Sequence, residues 1–374
     1  MAKLFEETRI NGMILKNRLI RSATWEGMCE PDGRPTPKLM ECYADLARGG
    51  VGLLISGCTF VRMDGKGFPG QMGIQTEAFS AEMKVLTATV HDQGGSICMQ
   101  LHHAGGQTSA GTMGSQPVAP SAVAVAQFAE TPAELSVEDI AALVELFSAG
   151  AKRARGYGFD AVQLHAAHGY LINQFLSPLT NRRSDIYGGS VENRCRFLME
   201  IYRGIRGAVG KDFPVLVKLN GADNLDGGLG AADALHAAMA LDKEGIDAIE
   251  VSAGTPASGD LSPVRPGSVA GKQEAFNLSH AGVIKKSVSC PVMTVGGIRS
   301  TEVAEEILRK DEADYISLSR PFIREPGLAK RWQSGDRAPA TCISCNGCFK
   351  PALKEGGIYC VLEKLAQEKG ESLT

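Results

Sequence analysis

The chain has 374 residues, of which 44% are hydrophobic and 22% charged, and 39 Lys+Arg against 42 Asp+Glu leave a formal charge of −3. This balance excludes an intrinsically disordered chain and the strong positive field of a nucleic-acid binder. No run of 18 apolar residues suggests a membrane span, and the opening MAKLFEETRING has no apolar signal core. The expected location is therefore cytoplasmic, and the ten cysteines are not expected in disulfides: clustered ones read first as metal or redox sites, and the six scattered ones as packed side chains.

In chain order, eight short apolar runs read as buried strands: Leu19–Trp25, Val51–Gly57, Ser96–His103, Ala161–Ala167, Pro214–Asn220, Ala248–Ala253, Pro291–Gly297 and Tyr315–Arg320. Amphipathic stretches fill the gaps. Thr36-Pro37 supplies an N-cap and a first-turn proline, and Ser136 with Asp139 resembles a capping box opening a helix to about Tyr157. Gly156-Tyr157-Gly158 reads as its C-cap and turn. Further helices are expected near 190–210, 230–245, 300–310 and 325–333. The alternation, with no GxGxxG after the first strand, predicts a (β/α)8 TIM barrel over an open doubly wound sheet. Residues 1–335 form this barrel, and 336–374 a C-terminal cysteine-containing extension packed on it. Segment 114–132 reads as an irregular or hairpin lid. The end EKLAQEKGESLT reads as frayed.

Barrel chemistry gathers at the C-terminal ends of strands. There, Gly296-Gly297 and Ser319-Arg320 can present backbone N–H groups and a guanidinium to an anion, although a tight turn with a surface arginine fits as well. His165, His168 and Tyr170 can converge on a substrate oxygen with a proton donor. A zinc pair and a satisfied core histidine are the alternatives. Lys218 is a charge in a buried strand, explained by a cofactor that gathers negative charge or by snorkelling at the mouth. Gln100 and Gln163 put amides in apolar strands. Cys342, Cys345, Cys348 and Cys360 are spaced for an iron–sulfur cluster or zinc, the alternative being four free thiols.

Together these residues resemble the Old Yellow Enzyme family of FMN-dependent oxidoreductases, over roughly residues 3–335. The motifs are NRLIRSA at 17–23, MQLHHAGG at 99–106, GFDAVQLHAAHGYLINQFLSPLTNRRSDIYGGSVENR at 158–194, VGGIR at 295–299 and SLSRPFI at 317–323. The resemblance implies FMN at the barrel mouth. Ser22, Ala23 and Gly57 would line it through their backbones, with Thr24 beside them. Gln100 would pair with the pyrimidine edge, Lys218 would face N1 and the C2 oxygen, and Gly296, Gly297, Ser319 and Arg320 would hold the phosphate. It also implies NADH or NADPH as reductant and an activated alkene as small-molecule substrate. His165 and His168 would polarise the substrate carbonyl, flavin N5 would give hydride, and Tyr170 would protonate the other carbon. Members are often dimers or tetramers, so a homo-oligomer is expected.

Two departures stand out. Trp25 stands where many members carry Cys or Thr near the flavin C4 oxygen, and as a substrate-binding residue its bulk would reshape the pocket. The cysteine tail resembles that of the 2,4-dienoyl-CoA reductase and trimethylamine dehydrogenase branch, where thiolates bind a [4Fe–4S] cluster, but one spacing is a residue shorter. That branch's nucleotide domain would follow the tail, whereas the sequence stops at Thr374. The alternative reading is thus an iron–sulfur flavoprotein exchanging electrons with a partner protein, or a tail holding zinc or bare thiols. A non-catalytic scaffold and a sugar-phosphate isomerase on the same fold fit the central motif poorly.

Overall fold

The computed structural model describes residues 3–125, 128 and 130–369. Eight parallel strands form its centre: β1 (Leu19–Arg21), β2 (Leu53–Ile55), β3 (Ile97–His102), β4 (Ala161–Ala166), β5 (Val215–Asn220), β6 (Ala248–Ser252), β7 (Val292–Val295) and β8 (Tyr315–Leu318). Each pairs with its chain neighbours, β8 pairs with β1, and the ring closes through β2 and β3. The expected barrel and all eight strands are present, trimmed at their ends. The trimming falls at both ends: β2, β3, β5 and β7 start one or two residues later than expected, and all but β5 end earlier, where the chain leaves the sheet for its loops.

Alternation along the strands sorts the interior into layers. Ile20, Leu53, Cys98, Ala161, Leu216, Ala248, Met293 and Tyr315 form an apolar bottom cluster. Two residues further on, the same strands present Ser22, Gln100, Gln163, Lys218, Glu250 and Ser317, all buried. The bottom is closed by an antiparallel hairpin, Thr8–Ile10 with Met13–Leu15, whose Ile10, Met13 and Leu15 join the apolar cluster. Its turn is Asn11-Gly12, with Asn11 at φ 51°, the strongest short-range hairpin signal.

Outward-facing strand residues such as Leu54, Met99, Leu164 and Val217 pack with the surrounding helices into a second, larger core. Each fully buried side chain of this kind contributes about 1.5–3 kcal/mol relative to exposure. The caps form as the sequence predicts. The Thr36 hydroxyl accepts from the Leu39 N–H ahead of helix Pro37–Arg48. Ser136 and Asp139 make a reciprocal capping box on helix Val137–Gly156, and Gly158 turns the chain away at φ 91°. Helices Val191–Val209, Ala231–Lys243, Thr301–Arg309 and Leu328–Gln333 lie where expected.

Two expectations are corrected. Strands Val118–Ala119 and Ala133–Glu134 pair in parallel, so of the two readings of segment 114–132 the hairpin falls and the irregular one stands; its residues 126, 127 and 129 lie outside the described residues. The expected frayed end is helical over Val361–Glu368, because an apolar stripe including buried Ala366 faces inward; residues 370–374 lie outside the described residues. The extension makes specific contacts with the barrel. The Ala340 N–H donates to the Arg299 carbonyl at 2.8 Å, and the Ile358 N–H to the Glu26 carbonyl at 2.7 Å. Ala352 and Ile358 are buried in the outer core. Among the described residues no helix is long and apolar enough to cross a membrane.

Candidate active site at the barrel mouth

A cavity of about 410 Å³ opens at the C-terminal ends of the strands, within the range for small-molecule and cofactor sites. Ser22, Gln100, Lys218 and Ser317 from the polar layer line it. Gly296, Gly297, Arg299, Ser319 and Arg320 line it after β7 and β8, and His165, His168, Tyr170, Ala23, Thr24 and Trp25 complete the expected set. Gly57 is the exception. It is buried behind the wall, its N–H donates to the Tyr43 hydroxyl at 2.9 Å, and its neighbour Cys58 reaches the cavity instead.

The floor is held by short contacts. Lys218 Nζ donates to Ser22 Oγ at 2.8 Å and lies 3.3 Å from a Glu250 carboxylate oxygen. Gln100 Nε2 donates to Gln163 Oε1 at 2.7 Å. Ser317 Oγ is buried with no partner among the described residues. The Thr24 and Ser319 hydroxyls pair at 2.6 Å, tying the end of β1 to the end of β8.

The histidines sit where β4 leaves the sheet. The Ala167 N–H donates to His165 Nδ1 at 3.3 Å, which leaves the proton of the neutral ring on Nε2. His168 takes an unusual φ of 61°, and its Nε2 lies 2.7 Å from Ser252 Oγ. Burial pushes both imidazoles well below their ordinary range, helped for His165 by His168 and for His168 by Lys218. Burial thus favours the neutral form of both rings. Burial also pushes the Tyr170 phenol up, so it keeps its proton. Its ring packs edge-on against His165 at 4.8 Å and His102 at 4.4 Å. Trp25 stacks on Phe68 at 4.9 Å and donates its indole N–H to the Pro69 carbonyl at 3.0 Å.

At the other end two arginines border the cavity. Arg320 Nη1 donates to Asn346 Oδ1 at 2.6 Å and to the Arg265 carbonyl at 2.9 Å. Arg299 donates to Ser344 Oγ at 2.6 Å and to the Cys342 carbonyl at 3.1 Å. The partners Ser344 and Asn346 belong to the cysteine loop, where both adopt positive φ. Cys342, Cys345, Cys348 and Cys360 line one small recess beside Arg320. The structure does not gather them as a metal centre. Among the described residues no three His, Cys, Asp or Glu side chains form a metal-ligating group, and all ten cysteines are free.

Sequence reasoning missed Glu250, Ser252 and Cys58, and passed over Arg299 within VGGIR. Glu250 carries the same signal that singles out Lys218, a charge inside an apolar strand. Ser252 and Cys58 carry none.

An FMN-sized ligand fits this mouth: it has a hydrogen-bonding floor with a cation, an orphaned hydroxyl, and two guanidinium groups beside glycine-rich turns. Residues 3–338 match the NADH:flavin oxidoreductase / NADH oxidase family. An NADH oxidase from Thermoanaerobacter brockii is 38% identical over 354 residues, covering 92% of this chain and 53% of that protein. An NADPH dehydrogenase from Bacillus subtilis is 37% identical over 333 residues, covering 88% and 93%. The structure of a 2-naphthoyl-CoA reductase with 2-naphthoyl-CoA superposes with a TM-score of 0.89 at 29% identity, covering 96% of this chain and 56% of that one. The chain thus spans about half the length of the first and third of these proteins. Fold and relatives place the chain among barrel proteins of one flavin-oxidoreductase family. The chain belongs to the NADH:flavin oxidoreductase / NADH oxidase family, to which the Old Yellow Enzyme resemblance pointed.

Proposed function

We propose that this chain is an FMN-dependent ene-reductase that draws electrons from NADH or NADPH and reduces an activated C=C bond next to a carbonyl. Bound FMN supplies the two-electron chemistry, and the chain's own side chains bind, orient and protonate. Gln100, Lys218 and Ser22 receive the polar edge of the ring. Gly296, Gly297, Arg299, Ser319 and Arg320 receive the phosphate. His165 offers its Nε2–H to the substrate carbonyl, with His168 beside it, and Tyr170 gives its proton to the substrate carbon. Trp25 and Phe68 form an apolar wall suited to a flat conjugated substrate.

The observation that carries this reading is the packing of buried His165 against Tyr170, with ring centroids 4.8 Å apart, in one cavity with Lys218. The test is an absorption spectrum of anaerobically purified protein, followed by NADPH oxidation with and without cyclohexenone. Two flavin bands and enone-dependent turnover support it. A colourless protein that takes up no FMN overturns it.

A second reading, an iron–sulfur flavoprotein supplied by a partner protein, rests on the four thiols lining one recess next to Arg320. The thiols are not gathered for coordination, so no electron step is routed through them. Iron and acid-labile sulfide near four per chain would favour this reading, and zinc or no metal would end it.

A further inference from the structure

One buried carboxylate has no place in the reading above. Glu250 is fully buried, two residues above Ala248 in the polar layer. Its Oε2 accepts from Gln163 Nε2 at 3.1 Å and lies 3.3 Å from Lys218 Nζ. Gln163 Oε1 in turn accepts from Gln100 Nε2 at 2.7 Å. Gln100 and Gln163 are paired across β3 and β4, and Lys218 and Glu250 across β5 and β6. Of these four residues, only Gln100 and Lys218 reach the cavity.

The chemistry of this chain has one direction. An ionised carboxylate beside an ammonium can only accept, so Gln163 must turn its NH2 toward Glu250. Its carbonyl oxygen then faces β3, and only the NH2 of Gln100 can meet it. The carbonyl oxygen of Gln100 is left for the cavity. Amide orientations are otherwise ambiguous, but here the acceptor-only end decides both.

We propose that Glu250 is a positioning residue that sets the hydrogen-bond polarity of the mouth floor. Through Gln163 it turns an acceptor, Gln100 Oε1, into the cavity, and it holds Lys218 there as a partly compensated cation. The ligand edge this floor selects carries an N–H donor for Gln100 and a carbonyl or developing anion for Lys218. The imide edge of a flavin pyrimidine has that pattern. The inference rests on the FMN reading and extends it to a residue that touches neither flavin nor substrate.

The test uses the wild-type holoenzyme and two variants, with FMN affinity by fluorescence quenching and midpoint potential by spectroelectrochemistry. Glu250→Gln keeps the volume but removes the anion. Lys218 then faces the ring uncompensated, and the potential shifts upward. Gln163→Met keeps the Lys218–Glu250 pair but cuts the relay, and FMN affinity falls about tenfold with a smaller change in potential. If Glu250→Gln fails to fold, the Gln163→Met affinity decides. Variants that bind FMN with wild-type affinity and potential overturn the role of Glu250 while leaving the FMN reading intact. Wild-type protein that binds no FMN overturns both.

Discussion

Arg320 Nη1 donates to the side-chain oxygen of Asn346 at 2.6 Å, so an arginine bordering the mouth is fastened by the cysteine loop of the C-terminal extension. Asn346 stands at φ 59°, a conformation glycine adopts without strain. Asn346→Gly therefore suits the backbone and removes the acceptor, together with the Asn346 Nδ2 bond to the Val264 carbonyl at 2.9 Å. Under the FMN proposal, a loosened Arg320 raises the FMN dissociation constant about tenfold, which fluorescence titration of apoprotein measures. Unchanged affinity would show that Arg320 is held well enough by the Arg265 and Ser344 carbonyls.

Under the proposed function, Tyr170→Phe removes the proton donor and keeps the ring that packs on His165 and His102. Alkene reduction is expected to slow by about 10²–10⁴-fold, the usual contribution of a positioned acid. Reduction of the flavin by NADPH needs no such proton and is expected to stay within a few fold. Stopped-flow measurement of the two half-reactions separates them. Equal loss in both would remove Tyr170 from the role of acid.

The buried imidazoles predict acid sensitivity. Burial lowers His102 to about 3, with His103 adding to it, and lowers His165 and His168 well below their ordinary values. In the unfolded chain each titrates near 6.5. Between the folded and unfolded values the unfolded state binds more protons, so stability rises with pH and is lost as pH falls below about 6.5. Each ring contributes a slope of about 1.4 kcal/mol per pH unit. Urea midpoints between pH 7.5 and 5 measure this, and His102→Leu is expected to flatten the slope by one ring's share. A wild-type slope retained in His102→Leu would place the protonation elsewhere.

Gly57 is fixed by what lies against it. A Cβ there would stand 2.3 Å from Glu26 Oε2 and 2.9 Å from the Thr24 carbonyl. Glu26 cannot easily move, because its other oxygen is paired at 2.9 Å with buried Arg21. Gly57→Ala is expected to destabilise by roughly 1–3 kcal/mol, the range for overpacking. Chemical denaturation reads this directly, and a neutral effect would mean that the ion pair shifts freely.

Much of the molecule is legible in its residues taken one after another. Strand identity follows from short apolar runs, because a strand buried on both faces needs them, and the caps at Thr36 and Ser136 follow from local hydrogen bonding. Lys218, Gln100 and the His165–Tyr170 group stand out because polar residues in apolar strands are costly without a reason. The N-terminal hairpin was also within reach through Asn11-Gly12.

The rest depends on contacts between positions far apart in the chain. Glu250 matters because β5 and β6 bring it beside Lys218, and because Gln163 carries its polarity to Gln100. Cys58, not Gly57, reaches the mouth because the chain turns there against Glu26. Arg320 is fastened by Asn346 only because the extension folds back across the barrel. Composition and spacing decide which elements form and which polar residues need partners. Only closure of the barrel decides which partners they meet, since hydrogen bonds of about 3 Å are set by three-dimensional packing and not by separation along the chain.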